Sequence, residues 1–489
     1  MRSSLFTSSF KTVGKRVLAI GLLMVCTLTI FGRYSQIAQP LNGNFHTFNR
    51  IIDEETVDVL CVGSSHVYCG INPVQMWDDH GIAAYDLAEG SQAIWHSYYY
   101  IKEALKTQTP RVVVLDVYTA AKSVEEMTKR VKSNLINMPW SYDKWEALTV
   151  ADTEEKMDIF WNFPAFHTRY DSLSRSDYDL AYEGDLYLGY IYHPEVVAYE
   201  AEEITDVRHV QECEPIPEKA EEYLRKSIEL CQDNNIDIVL TNTPWPNITE
   251  DKQKYYNYVQ GIADEYGVPF INGCLLNDEI GMDYSVDSMG NGGHLNYSGV
   301  TKYTRWFTEW LVERYELPDR RSDAKWDEWQ RQSDRLKAVI LKNELSQADN
   351  LAEYLNCIGG QEHIYYAVSL NGFFDKDGTQ RDSAMNALSA AGISLDHRGV
   401  YVRGPEGQIS GSAEDDYNWW YYFDDSVLHV FKREDYYGGD PVIRWNNESG
   451  IIVGNGINIL VYDDLLKRVV SQAGFNADNN YEIIRQDKE

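Results

Sequence analysis

The apolar run Val57-Asp58-Val59-Leu60-Cys61-Val62 stops at Gly63-Ser64-Ser65-His66, and that junction constrains the chain more than any other feature. A short apolar run bounded by glycine reads as a buried strand ending in a tight turn. Similar runs follow at Val112–Val117, Ile236–Thr241 and Val268–Ile271. Helical stretches lie between them at Ser97–Thr107, Glu218–Gln232, Lys252–Tyr266 and Tyr303–Tyr315. In the second of these, Ala220, Tyr223, Leu224, Ile228 and Leu230 make an apolar stripe. Strands alternating with helices predict an α/β fold: a three-layer α/β/α, flavodoxin-like domain with a mostly parallel sheet. Ligands of such sheets bind at the carboxyl edge of the strands, where Ser65 stands.

Length and charge narrow the field. At 489 residues the chain is too long for one ordinary domain. Its 44% hydrophobic and 13% aromatic content supports real cores and excludes global disorder. Residues 1–50 hold six Lys or Arg and no acid, which leaves 38 bases against 76 acids in the rest. So acidic a body has too few cations to bind nucleic acid through its phosphates. The seven cysteines form no CxxC pair and no zinc-like cluster, so neither a disulfide framework nor a metal site is expected. No cofactor is implied.

Val17 to Phe31 is an uncharged, mostly apolar stretch preceded by Lys11, Lys15 and Arg16. It is short for a membrane span, which usually needs roughly 20 residues. No small-residue cleavage site follows it. Residues 1–34 therefore read as a cytoplasmic tail and uncleaved signal anchor with the body outside, and a cleaved signal is the alternative. Residues 35–50 read as a linker. The α/β domain is expected over 51–318, with an aromatic-rich insertion at 119–215 suited to a lid or wall. Residues 319–350 read as a linker helix. Over 351–489 the texture becomes β-rich, with strand-like runs at His363–Leu370, Gly399–Arg403, Trp419–Phe423, Val427–Phe431, Val442–Trp445, Ile451–Val453 and Ile457–Tyr462, and a helix near Ser383–Ala391.

A serine hydroxyl needs a base to take its proton and donors to hold the oxyanion. Ser65 is the candidate nucleophile, and its own amide is one candidate oxyanion donor. A second apolar stretch, Ala83–Ala88, leads to Glu89-Gly90-Ser91-Gln92, where the Gly90 backbone and the Gln92 amide can contribute. His294, in Asn291-Gly-Gly-His294-Leu-Asn296, is the best candidate base; His66, His96 and His167 are weaker rivals. Asn291 and Asp287 are candidates to orient the imidazole. His66, Tyr118, Trp161 and His167 are candidate substrate contacts.

The order Gly63-Ser64-Ser65, Gly90, His294 resembles the SGNH/GDSL hydrolase superfamily, and most closely its exported DltD-type and polysaccharide O-acetylation members. The likeness covers roughly 51–318. It implies an exported serine O-acyltransferase or esterase acting on a cell-surface glycan through an acyl-serine, with the acyl group supplied by a membrane acyltransferase. Two positions depart from the family. Asp116-Val117-Tyr118 stands where an oxyanion asparagine is usual, which leaves Tyr118 or Gln92 to donate, and Asn291 fills the place of the histidine's acid. The alternative is a non-catalytic glycan-binding or assembly protein on a worn SGNH fold. At the other end, Gly456-Ile-Asn-Ile-Leu-Val-Tyr-Asp463, continuing to Phe475-Asn476, resembles the ILEI-type domain over roughly 355–480. That likeness implies a small β-sandwich-like binding module.

Overall fold

The structure, a computed structural model, describes residues 3–38, 48, 51, 56–162, 166–173, 186–290, 293–372, 379–395, 399–404, 407–412, 416–423, 426–433, 435 and 439–486. The expected linker at 35–50 falls largely outside them, as do Phe163, Tyr178 and Tyr182 of the insertion. The chain divides into two compact units, Met1–Gln332 and Ser333–Glu489.

The first unit is α/β. Its sheet has five strands: β1 (Val59–Gly63), β2 (Ala84–Ala88), β3 (Val112–Asp116), β4 (Asp237–Asn242) and β5 (Phe270–Asn272). Their order is β2-β1-β3-β4-β5, and every pairing is parallel. Residues of β1, β2 and β3 are buried throughout, as strands covered on both faces must be. The chain runs outward from β1 to β2 and then crosses back to β3 on the other side of β1. The carboxyl ends of β1 and β3 thus form the point where strand order reverses, and a cleft opens there in such sheets.

Helices cover the sheet. Helix Glu218–Asp233 buries Ala220, Tyr223, Leu224, Ser227, Ile228 and Cys231. Helix Tyr297–Arg314 buries Val300, Tyr303, Thr304, Phe307 and Leu311, spaced for one face. It begins six residues before the expected start because Asn296 caps it, accepting from the Gly299 amide at 3.2 Å.

The N-terminal helix runs from Ser3 to Ala38, and within it Val13–Tyr34 is 22 residues long and apolar enough to cross a membrane. This span is longer than the fifteen-residue apolar stretch taken alone, because the helix carries residues 13–16 and 32–34 with it, Lys15, Arg16 and Arg33 included.

The second unit is an antiparallel β structure. Six strands pair in the order Gly407–Ser412, Gly399–Gly404, Ile364–Asn371, Gly456–Asp463, Arg468–Asn476, Glu482–Arg485. One face of this sheet packs on helices Leu351–Ile358 and Thr379–Ala390 through Tyr354, Leu355, Leu388, Val368 and Ile459. The other meets a second sheet of four strands, led by Tyr417–Phe423 and Ser426–Lys432, through Val400, Leu428, Val430, Ile443 and Leu460. The sandwich therefore carries a helical layer, of which the helix expected near Ser383–Ala391 is one member and Leu351–Ile358 the other. Ile451–Val453 is not a strand: the Asn458 side chain accepts from the Ile452 and Val453 amides at 2.7 and 2.8 Å, so no neighbouring strand is needed.

Candidate active site

Ser65 opens a four-residue helix, Ser65–Tyr68, directly after β1. Gly63 is required there by space, because a side chain would collide with Asp116 Cβ on β3. Ser64 caps the short helix, its Oγ accepting from the His66 amide at 3.3 Å. The buried Asp116 holds this turn: its Oδ2 accepts from Ser64 N at 3.0 Å and Ser64 Oγ at 2.6 Å, and its Oδ1 from Tyr118 N at 3.0 Å. Burial raises the Asp116 pKa, and the Ser64 and Tyr118 donors pull it back down.

His294 reaches the same point from 229 residues downstream, with Nε2 2.7 Å from Ser65 Oγ. Its loop is pinned from both sides. Gly293 has φ +82°, and a side chain there would meet Asn247 Oδ1 and the Trp245 ring. Asp287 is fully buried, and its carboxylate is engaged by groups other than the imidazole. Oδ1 accepts from Ser298 Oγ at 2.7 Å, and Oδ2 from Lys302 Nζ at 2.6 Å and Asp283 N at 2.7 Å. Its carbonyl accepts from Asn296 N at 3.2 Å. Asp287 thus braces the histidine loop and the start of the following helix. Asn291 lies outside the described residues.

Gly90 lies within the Glu89–Gln92 turn after β2, and the nearest atom to a side chain built there would be the Tyr68 hydroxyl, at 3.5 Å. That hydroxyl lies close enough to the Ser65 side chain to influence its own pKa, which burial drives upward. Tyr68 stands three residues after Ser65, one helical turn on, which is the spacing that puts it beside the serine. The Gly90 carbonyl accepts from Asn134 Nδ2 at 3.1 Å, and Asn134 Oδ1 pairs with His96 Nδ1 at 2.9 Å. The insertion therefore holds the Gly90 turn in place. His96 is buried in that brace, its pKa lowered to about 4, chiefly by burial. Gln92 is buried as well, with its amide donating to Ser97 Oγ at 3.0 Å, so this donor serves the following helix.

Four of the predicted residues, Ser65, His294, His66 and Tyr118, share one site. The His66 ring stacks on Tyr118 at 3.7 Å between centroids and lies 4.9 Å from His294. Its Nδ1 pairs with Thr243 Oγ1 at 3.1 Å. Burial, followed by His294, Lys252 and Lys122, lowers its pKa well below the usual range, which keeps it neutral. Trp245 completes the wall, 5.4 Å from Tyr118 and edge-on. Trp161 and His167, the other two expected substrate contacts, have partners of their own. Trp161 packs on Trp140 at 5.3 Å, Trp140 meets Phe31 of the N-terminal helix at 6.2 Å, and the His167 carbonyl accepts from Tyr34 Oη. Trp140 and Trp161 of the insertion thus gather by the N-terminal helix, whereas Tyr190 lies against the helix that Ser65 opens.

Four residues at the site escaped the sequence reading: Asp116 as a brace, Tyr68, Trp245 and Lys252. Thr243-Pro244-Trp245 directly after the Ile236–Thr241 run was the available signal for the tryptophan, since strand tips of one parallel sheet converge. Among the described residues no group of three or more His, Cys, Asp or Glu can hold a metal.

No family model and no curated protein matches the chain. Among solved structures it is similar to a Bacteroides fragilis protein provisionally described as an acylhydrolase, at 11% identity and a TM-score of 0.29, covering 56% of this chain and 98% of that one.

Proposed function

We propose that the chain is an SGNH-type serine enzyme that moves or hydrolyses an O-acyl group on a cell-surface glycan. The observation that carries this is the 2.7 Å contact between Ser65 Oγ and His294 Nε2 at the strand-order reversal of a parallel sheet. Ser65 Oγ attacks the ester carbonyl as His294 Nε2 takes its proton. The oxyanion is held by the Ser65 and Gly90 amides, with the Tyr68 hydroxyl beside them. As the intermediate collapses, the leaving alcohol takes the proton from His294. Water or a glycan hydroxyl then attacks the acyl-serine, giving up its proton to His294 and freeing Ser65. The N-terminal span anchors the body outside the membrane, where a membrane acyltransferase supplies the acyl group. The second unit, as an ILEI-type module, binds glycan or partner.

The test is fluorophosphonate labelling of the full chain in detergent. Wild type should label, and Ser65→Ala and His294→Ala should not; turnover of an aryl acetate should fall about 10⁶-fold in Ser65→Ala. An unlabelled wild type that still binds glycan would favour a non-catalytic binder. The engagement of Asp287 away from the histidine is the observation on that side.

A further inference from the structure

Beside the dyad sit two lysines of different kinds. Lys122 is paired, its Nζ 2.7 Å from Glu126. Lys252 is half-buried and has no carboxylate within ion-pair distance among the described residues. Its Nζ lies 4.6 Å from the Trp245 ring centre and 5.4 Å from that of Tyr118. Lys122 covers the same Tyr118 ring at 5.7 Å.

Lys252 also breaks a local rule. It occupies the first turn of helix Glu250–Tyr266, where the helix dipole disfavours a cation. The acids next to it are committed elsewhere: Glu250 to His209 at 3.1 Å and Asp251 to Lys254 at 3.0 Å. A half-buried cation without an acid is uncommon in a chain carrying 76 Asp and Glu against 44 Lys and Arg. Violations of local preference concentrate at functional sites. Two buried nitrogens nearby, Trp245 Nε1 and His66 Nε2, have no hydrogen-bond partner among the described residues, so the wall offers unused polar capacity.

We propose that Lys252, with Lys122, forms an anion subsite on the Trp245–Tyr118 wall, which His66 joins to His294, and that it selects an acidic glycan. Carboxylate-bearing sugars fit, because a pyranose can lie on the aromatic wall while its carboxylate meets the ammonium. This rests on the reading of the chain as a glycan-acting serine enzyme.

The experiment uses full-length Ser65→Ala protein, so that binding is read without turnover. Fluorescently labelled trigalacturonate is titrated against it, with labelled cellotriose as the neutral control. Trigalacturonate should bind and cellotriose should bind more weakly. Adding Lys252→Met, which keeps the apolar stem on the rings, should weaken trigalacturonate about ten-fold and leave cellotriose unchanged. Equal binding of the two sugars, or an unchanged trigalacturonate affinity in Lys252→Met, overturns the proposal. In a parallel arm on the enzyme with Ser65 intact, monophenyl terephthalate and phenyl benzoate are compared as esters. A Lys252-dependent preference for the terephthalate without trigalacturonate binding would assign the anion to the acyl side and overturn the glycan. Absent fluorophosphonate labelling with intact, Lys252-dependent sugar binding would overturn the enzyme reading and leave the subsite standing.

Discussion

Asp116 serves the Ser65 side of the pair and Asp287 the His294 side; both are shielded from solvent, and neither bonds the imidazole. Asp116 holds the serine's turn by accepting from two backbone amides and a hydroxyl. Asp287 holds the histidine's loop by accepting from one amide, one hydroxyl and one ammonium. In a three-residue relay the acid polarises the base. Here both acids fix backbone, and the geometry of the pair is set from beneath. The two differ in what stands behind them. Asp116 comes from the rigid tip of β3, whereas Asp287 sits in a loop and relies on a lysine that is about one-third exposed.

Removing the stiffer brace should cost more. Asp116→Ala leaves Ser64 N and Oγ without their acceptor inside the sheet and frees the turn that aims Ser65. The fluorophosphonate labelling rate should fall about 10²–10³-fold. Thermal unfolding should register a loss of roughly 3 kcal/mol. Labelling at the wild-type rate by a folded Asp116→Ala protein would remove the brace role.

Asp287→Asn sharpens the contrast. If Asp287 only steadies the loop, the variant loses its charge pairing with Lys302, and labelling should drop about ten-fold or less. Lys302→Met should then give a similar loss, because it breaks the same contact from the other end. An acid acting on the histidine would behave differently: its removal costs about 10⁴-fold, and a change at Lys302 would not mimic it. A 10⁴-fold drop confined to Asp287→Asn would reverse the assignment.

Much of this was legible before any coordinates, and the exceptions have causes. β1 and β3 stand out as apolar runs because they are covered on both faces. Their ends shift where a polar contact decides. Asp58 precedes β1 and pairs with Arg320 at 2.8 Å, a partner 262 residues away. Val268 and Pro269 fall outside β5, where pairing with β4 begins at Phe270. The serine and the histidine were legible because each sits in a glycine turn beside a periodic element. Asp116 was read only as a poor oxyanion donor, since its partner Ser64 is 52 residues earlier and no local pattern announces an acceptor. Trp161 and His167 show the converse: aromatic density marks burial or stacking without saying against what, and here Trp161 stacks on Trp140 and the His167 carbonyl accepts from Tyr34.

A third buried aspartate tests the idea that donors decide what such a group contributes. Asp86 lies in β2, paired in register with Cys61 of β1. Among the described residues neither of its carboxyl oxygens has an N–H or O–H donor; burial raises its pKa well above the usual range, with the adjoining Cys61 thiol a minor opposing influence. The folded state therefore keeps a proton on Asp86 that the unfolded chain gives up near pH 4. Its contribution is fully present below that pH and is lost as pH rises towards the folded-state value. The denaturant midpoint of the α/β unit should thus decline from pH 5 to pH 8, read by the reactivity of the buried thiols Cys61 and Cys69. Asp86→Asn should flatten the decline and stabilise the unit by about 1–2 kcal/mol at pH 8, the smallest effect of the three. A wild-type slope that survives in Asp86→Asn would mean that Asp86 is ionised in the fold. In that case a buried carboxylate would be standing without the donors that Asp116 and Asp287 both have, and donor count would not separate the three.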